Sequence, residues 1–133
     1  MTNQELIDRS FMLLRMIESS DSANATDSAD AMSVLNEMMA EWAISSRDFN
    51  FFPQDTLSAT VPLPEWAIAG VIANLAVMCG PVFDTEVTAD VYGKADVGKK
   101  VITRTLMNLA LEPADMTHLP QGRFSTRHIL TDA

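Results

Sequence analysis

The sequence predicts an all-α protein, a small bundle of about four helices with one irregular loop. Apolar residues recur at intervals of three and four in several segments, and capping residues or proline and glycine separate those segments. The chain has 133 residues, 47% of them hydrophobic, which is enough to bury one core. We expect a helical domain over residues 1–112 and an extended C-terminal tail over 113–133.

Caps and apolar stripes predict the first two helices. Thr2 and Glu5 have the spacing of a capping box, and apolar residues at helical spacing extend helix one to about Ser19. A small polar linker over 20–27 leads into helix two, predicted over 27–45. Its methionines suit either core packing or an adaptable interface. The apolar stripe of helix two consists of Ala31, Met32, Leu35, Met38, Met39 and Trp42.

Helical periodicity breaks down over residues 46–64, which contain three prolines and three phenylalanines. Long irregular segments in small domains are often functional, and an aromatic-rich loop suits a protein partner. Phe49, Phe51 and Phe52 are therefore candidate interface residues, with core packing as the alternative. The strand-like residues 57–61 favour a short hairpin.

Helix three is predicted from Pro64 to a stop signal at Gly80–Pro81. Its residues 66–83 carry no charge, so a membrane span is the alternative to a buried core helix. However, the flanks are acidic, Asn74 lies at the centre, and the run is short for a bilayer. We therefore expect a core helix and no membrane contact.

Helix four is predicted from Asp84 or Thr85 to Leu111. Asp90 with Lys94, and Asp96 with Lys100, are acid-before-base pairs four residues apart, the favourable orientation on a helix. The residues expected along one side of this helix are Val87, Val91, Ala95, Gly98, Ile102 and Leu109.

Motifs for catalysis or metal binding are weak. Residues 93–100 (GKADVGKK) match the start of a phosphate-binding loop, but Lys100 stands where a Mg²⁺-binding Ser or Thr is needed. Cys79 lies in the most apolar helix and is expected to be buried, and His118 and His128 have no ligand spacing. We predict no enzyme activity, no metal and no cofactor.

Charge is distributed unevenly along the chain, which carries a net charge of -9. Residues 1–96 contain 15 acids and 4 bases, whereas residues 97–133 contain 3 acids and 5 bases. The acidic total argues against a dedicated DNA-binding domain. An acidic body with a basic end favours head-to-tail contact between copies or contact with another acidic protein, with a solvated face as the alternative.

The block LNEMMAEW, Leu35–Trp42, resembles the second helix of the P22-type tail accessory factors, the head-to-tail adaptor proteins of short-tailed phages. Three further short motifs follow in the family's order, and the resemblance covers about residues 3–124. These motifs are Asn74-Leu75-Ala76, Tyr92-Gly93-Lys94 and Leu119-Pro120-x-Gly122.

This resemblance implies a non-catalytic virion protein at the head–tail junction, assembled in the host cytoplasm. It implies a dodecameric ring beneath the portal protein, which extends the DNA channel and docks a tail hub or nozzle protein. Arg123, Phe124, Arg127 and Ile129 become the candidate contacts with the portal or a neighbouring subunit. We expect DNA to pass without specific binding, because an acidic channel wall repels its backbone.

Two other functions stay open. One is a cell-wall hydrolase on the same bundle, using Glu37 and Glu41, which lie one helical turn apart and are otherwise solvated helix surface. The other is a small helical regulatory protein that binds one cellular partner. Ring formation, alone or with the portal protein, separates the adaptor from the regulatory protein, and loss of turbidity of purified peptidoglycan would favour the hydrolase.

Overall fold

The computed structural model describes residues 1–45 and 47–111 and folds them into a bundle of four α-helices. The helices are α1 (Asn3–Leu13), α2 (Ala25–Ile44), α3 (Glu65–Val82) and α4 (Ala89–Ala110). α3 is central, because α1, α2 and α4 all pack against it, and α4 packs mainly on α3. The predicted all-α bundle is therefore confirmed, while the predicted tail over 113–133 lies outside the described residues.

The core is formed by the apolar stripes of α1, α2 and α3. Every residue of the predicted α2 stripe is buried, including all three of its methionines. These methionines fill the core, so they do not form an exposed interface. Val34 and Ser28 on the same helix are also buried.

The first helix begins where its cap predicts but ends earlier than expected. The Thr2 hydroxyl accepts a hydrogen bond from Glu5 N at 3.2 Å, and the Glu5 carboxylate accepts one from Thr2 N at 2.9 Å. The predicted end near Ser19 is wrong, since α1 stops at Leu13. Arg15 has a φ of 59°, and the amides of Arg15 and Met16 close the helix on the carbonyls of Met12 and Phe11.

The apolar pattern beyond α1 has another structural cause. Met16 and Ile17 are half-buried and pack against the core from the linker that follows the helix. These apolar residues therefore continue the helical spacing of α1 in the sequence, although they are buried from a turn and not from a helix.

The hairpin predicted over 57–61 does not form. Instead, this segment pairs with the N-terminus: Asn3 N donates to Ala59 O at 3.0 Å, and Gln4 N donates to Leu57 O at 2.9 Å. Thr2 and Thr60 form an isolated antiparallel bridge. The backbone amides of the first turn of α1 have no partner within the helix, so they supply the donors that a second strand would have supplied.

The boundaries of α3 and α4 differ from the predicted ones by a few residues. Gly80–Pro81 does not stop α3, because this pair lies in its last turn and the helix continues to Val82. α4 begins at Ala89 instead of Asp84, since Asp84 has a φ of 52°, which is incompatible with a helix start there. Thr88 caps α4 by accepting from Val91 N at 3.5 Å.

The predicted surface pairs of α4 form in part. Lys100 Nζ lies 2.9 Å from Asp96 Oδ2, and both side chains are exposed. Asp90 and Lys94 do not form an ion pair. Among the residues expected along one side of α4, Val91, Ala95 and Ile102 are buried, while Leu109 is exposed.

Among the described residues, one helix, α3, has the length and apolar composition to cross a membrane. In this fold 56% of it is buried inside the bundle. That burial is typical of a core helix, the structure predicted for this segment.

Candidate functional site

An apolar groove runs between α1, α3 and α4, with a volume of about 1290 Å³. Both acidic and basic side chains lie at its rim. The apolar lining includes Met12 and Leu13 from α1, Trp66, Ile68 and Ile72 from α3, and Val97 and Val101 from α4. The charged residues are Arg9, Glu65, Asp90 and Lys94. We call this surface the apolar groove.

The shape of the groove follows from how closely α4 approaches α3. Gly70 and Gly98 meet at the crossing, and a Cβ on Gly98 would lie 2.5 Å from the Cα of Gly70. Asn74 fixes the crossing, because its buried amide donates to Gly70 O at 2.8 Å and to Ala95 O at 2.9 Å. This amide therefore joins the backbones of both helices in the core.

α4 leaves part of its apolar surface open beside this crossing. Its buried stripe faces α3, while Val97 is 60% exposed and Val101 is 42% exposed on the side that faces the groove. A groove with an apolar lining and a charged rim is a form that protein-binding surfaces commonly take.

The three candidate phenylalanines do not form one exposed cluster. Phe49 is half-buried, with its ring centroid 5.7 Å from that of Trp66, and Phe51 is half-buried against the core. Phe52 is 61% exposed. Because Trp66 also lines the apolar groove, Phe49 supports one wall of it from behind.

Side-chain amides hold the connecting segment, residues 47–64, on the bundle. Asn36 Nδ2 donates to Gln54 O at 2.9 Å, and Gln54 N donates to Asn36 Oδ1 at 2.9 Å. The buried Asn3 donates to Gln54 Oε1 at 3.0 Å and to Thr56 O at 2.9 Å. The sequence pattern predicts this role for neither Asn3 nor Asn36, although an amide in line with the apolar residues of its helix is the available signal.

A second depression, of about 450 Å³, lies between Arg47, which follows α2, and the C-terminal half of α4. We call it the basic pocket, because its lining includes Arg47, Lys99, Lys100 and Arg104. The basic character of residues 97–133 is visible in the sequence. No local pattern predicts that Arg47, more than fifty positions before Lys99, joins the three basic residues of α4.

Arg47 is held in place by contacts with Trp42 on α2 and Thr103 on α4. Its guanidinium lies over the Trp42 ring, 5.3 Å from the centroid. Nη1 donates to the Thr103 hydroxyl at 3.4 Å and Nη2 to the Ser45 hydroxyl at 3.0 Å. The guanidinium is therefore positioned beside the lysines of α4 without a carboxylate partner among the described residues.

The residues considered for catalysis are not gathered into a site. Glu37 and Glu41 are exposed on α2 and line neither depression. Residues 93–100 lie wholly within α4, so their amides are bonded in the helix and cannot cradle a phosphate. No group of metal-ligating side chains occurs in the part of the chain that the structure describes.

Cys79 is fully buried in α3. Burial raises the pKa of its thiol from 9.0 to about 12, because a thiolate would lose its hydration there. At neutral pH the side chain is a protonated core residue, as predicted.

The predicted tail contacts Arg123, Phe124, Arg127 and Ile129 lie outside the described residues, as do His118 and His128. No protein-family model matches this chain, and no curated protein sequence matches it.

Proposed function

We propose that this protein is a structural head-to-tail adaptor of a tailed phage. It assembles as a ring beneath the portal protein, extends the DNA channel and docks the tail. The observation that carries the proposal is the apolar groove between α1, α3 and α4, because an adaptor must offer recessed apolar surface to the proteins that it joins.

The groove has the properties expected of a docking surface for a helix. Its floor is rigid, since the Gly70–Gly98 crossing and the Asn74 hydrogen bonds hold α3 and α4 together. Its lining includes Trp66 and Met12, residue types that are enriched in protein interfaces.

The block that resembles the phage adaptors supports the proposal at the level of the fold. Its apolar residues Met38, Met39 and Trp42 are buried, and Asn36 binds the connecting segment. The resemblance therefore rests on residues that decide how α2 packs and where the segment after it lies.

Ring formation with the portal protein of the same phage tests the proposal. The full chain, alone and mixed with purified portal protein, is measured by size-exclusion chromatography with light scattering and by negative-stain imaging. We expect a ring-shaped complex, at least with the portal present. A chain that stays monomeric beside the portal protein contradicts the adaptor function.

A parallel assay addresses the hydrolase. Loss of turbidity of purified peptidoglycan, abolished by Glu37→Gln or Glu41→Gln, would favour that alternative over the adaptor. We expect no turbidity loss, because neither carboxylate lies in a cleft that could enclose a sugar.

A further inference from the structure

The basic pocket concentrates positive charge on an acidic protein. Four of the nine basic residues of the chain line it, although the net charge is -9. Its one acidic lining residue, Asp96, is already bound to Lys100 at 2.9 Å. Arg47, Lys99 and Arg104 pair with no carboxylate among the described residues.

The opposite charge lies along the outside of α2. This helix of 20 residues carries four acidic side chains and no basic one. Asp30, Glu37 and Glu41 are all exposed, and their spacing of seven and four residues places them on one side. We call these three residues the acidic face of α2; none is within ion-pairing distance of a described basic side chain.

The two charged surfaces are not paired with each other within one described molecule. α2 and α4 both pack on α3 but hardly contact each other, and the buried side of α2 faces the core. Ser45, which accepts a hydrogen bond from Arg47, lies one turn after Glu41, yet no ion pair joins the acidic face to the basic pocket within one described chain. Between two copies, however, one can lie against the other.

We infer that the acidic face of α2 in one copy binds the basic pocket of a second copy. This inference rests on the proposed adaptor function and names the contact that joins neighbouring subunits. Because the two surfaces differ, the contact is head-to-tail, the type of interface that closes into a ring when the rotation between copies allows it.

The features of the pocket favour a protein over a nucleic acid as its partner. Met107 and Leu111 line it with exposures of 53% and 75%, and such apolar side chains suit a helix surface better than a phosphate backbone. A second copy supplies carboxylates on a rigid helix.

A charge-exchange experiment on the full chain tests the contact. Lys99→Glu/Arg104→Glu reverses the basic pocket, and Glu37→Lys/Glu41→Lys reverses the acidic face. Self-association of each protein, alone and with portal protein, is measured by sedimentation velocity at low and high salt. We expect each double variant to associate about tenfold more weakly than the wild type. An equimolar mixture of the two variants should associate again, and high salt should weaken the wild-type contact.

Matched controls apply the same change of charge elsewhere. Arg15→Glu, matched to Arg104→Glu alone, and Glu18→Lys/Glu86→Lys, matched to Glu37→Lys/Glu41→Lys, alter exposed residues outside the basic pocket, the acidic face and the apolar groove, and should leave self-association unchanged. Circular dichroism verifies that every variant is folded.

The outcomes separate this inference from the adaptor function. Rings that survive both reversals overturn the inference and leave the adaptor standing. A salt-sensitive contact that the reversals abolish, in a chain that forms no ring with the portal, supports the contact and contradicts the adaptor. A wild-type chain that is monomeric under every condition overturns both. Binding of a short DNA duplex that Lys99→Glu/Arg104→Glu abolishes, without an effect on self-association, assigns the pocket to nucleic acid instead.

Discussion

Gly70 on α3 and Gly98 on α4 face each other so closely that a Cβ on Gly98 would lie 2.5 Å from the Cα of Gly70. Real side chains do not tolerate that distance, so the two helices can cross here only because both positions lack a Cβ. The crossing sets the floor of the apolar groove. A change at Gly98 should therefore affect both stability and the groove.

Gly98→Ala should lower the free energy of unfolding by about 1–3 kcal/mol, because the new methyl group must push α4 away from α3. This loss exceeds the helix-propensity gain of about 1 kcal/mol that alanine brings. Urea denaturation followed by circular dichroism measures the difference.

Gly93→Ala is the matched control, since Gly93 is on the same helix and a Cβ there meets nothing within 4 Å. It should stabilise the protein by about 0.5–1 kcal/mol. If Gly98→Ala were as stabilising as Gly93→Ala, the close crossing would be wrong.

Alkaline pH should destabilise the fold through Cys79. Below about pH 9 the thiol is protonated in the folded and unfolded chains, so its contribution to stability is complete. Between pH 9 and about 12 the unfolded chain loses the proton while the folded chain keeps it. The free energy of unfolding should then fall by about 1.4 kcal/mol for each pH unit from this group.

Cys79→Ala removes the thiol and is the control for other groups that titrate in this range. Urea denaturation at a series of pH values should give a shallower decline for the variant than for the wild type. Equal slopes would show that the thiol is not retained as a protonated core group.

Under the proposed adaptor function, Val97→Glu should weaken binding to the portal protein about tenfold or more, because it places a charge in the lining of the apolar groove. Val97 is 60% exposed, so the free energy of unfolding should change by no more than about 0.5 kcal/mol. Sedimentation with purified portal protein and urea denaturation provide the two measurements.

Tyr92→Glu makes a comparable change at a residue of α4 that is 53% exposed and does not line the groove. Portal binding should be retained in this variant. Equal loss in both variants would mean that the groove has no special part in binding.

Asn36→Ala should release the connecting segment, because it removes both hydrogen bonds to the backbone of Gln54. The unpaired N–H and C=O should cost about 1–3 kcal/mol. Limited digestion with chymotrypsin should cut faster after Phe49 or Phe51; Phe52 precedes Pro53 and is not a cleavage site. Ser33→Ala, on the exposed side of α2, should change neither the stability nor the cleavage rate.

Local chemistry accounts for the parts of the fold that were predicted correctly. The capping box at Thr2 and Glu5 and the apolar stripe of α2 involve residues a few positions apart, which meet in any α-helix. Burial of Cys79 follows from the apolar helix around it. These features can be predicted from sequence because residues three or four positions apart always lie on the same side of an α-helix.

Tertiary contacts decided the features that were predicted wrongly or missed. The α1 terminus depends on Met16 and Ile17 reaching the core from a turn, and residues 57–61 pair with the N-terminus instead of with each other. Arg47 joins the lysines of α4 only because the segment after α2 runs beside the C-terminal half of α4. The hydrogen bonds of Asn3, Gln4 and Arg47 join residues more than fifty positions apart. No spacing pattern within one helix or strand predicts which distant residue will be the partner. The sequence therefore carries the helices and their buried faces, whereas the groove, the basic pocket and the path of the connecting segment exist only once the helices have packed.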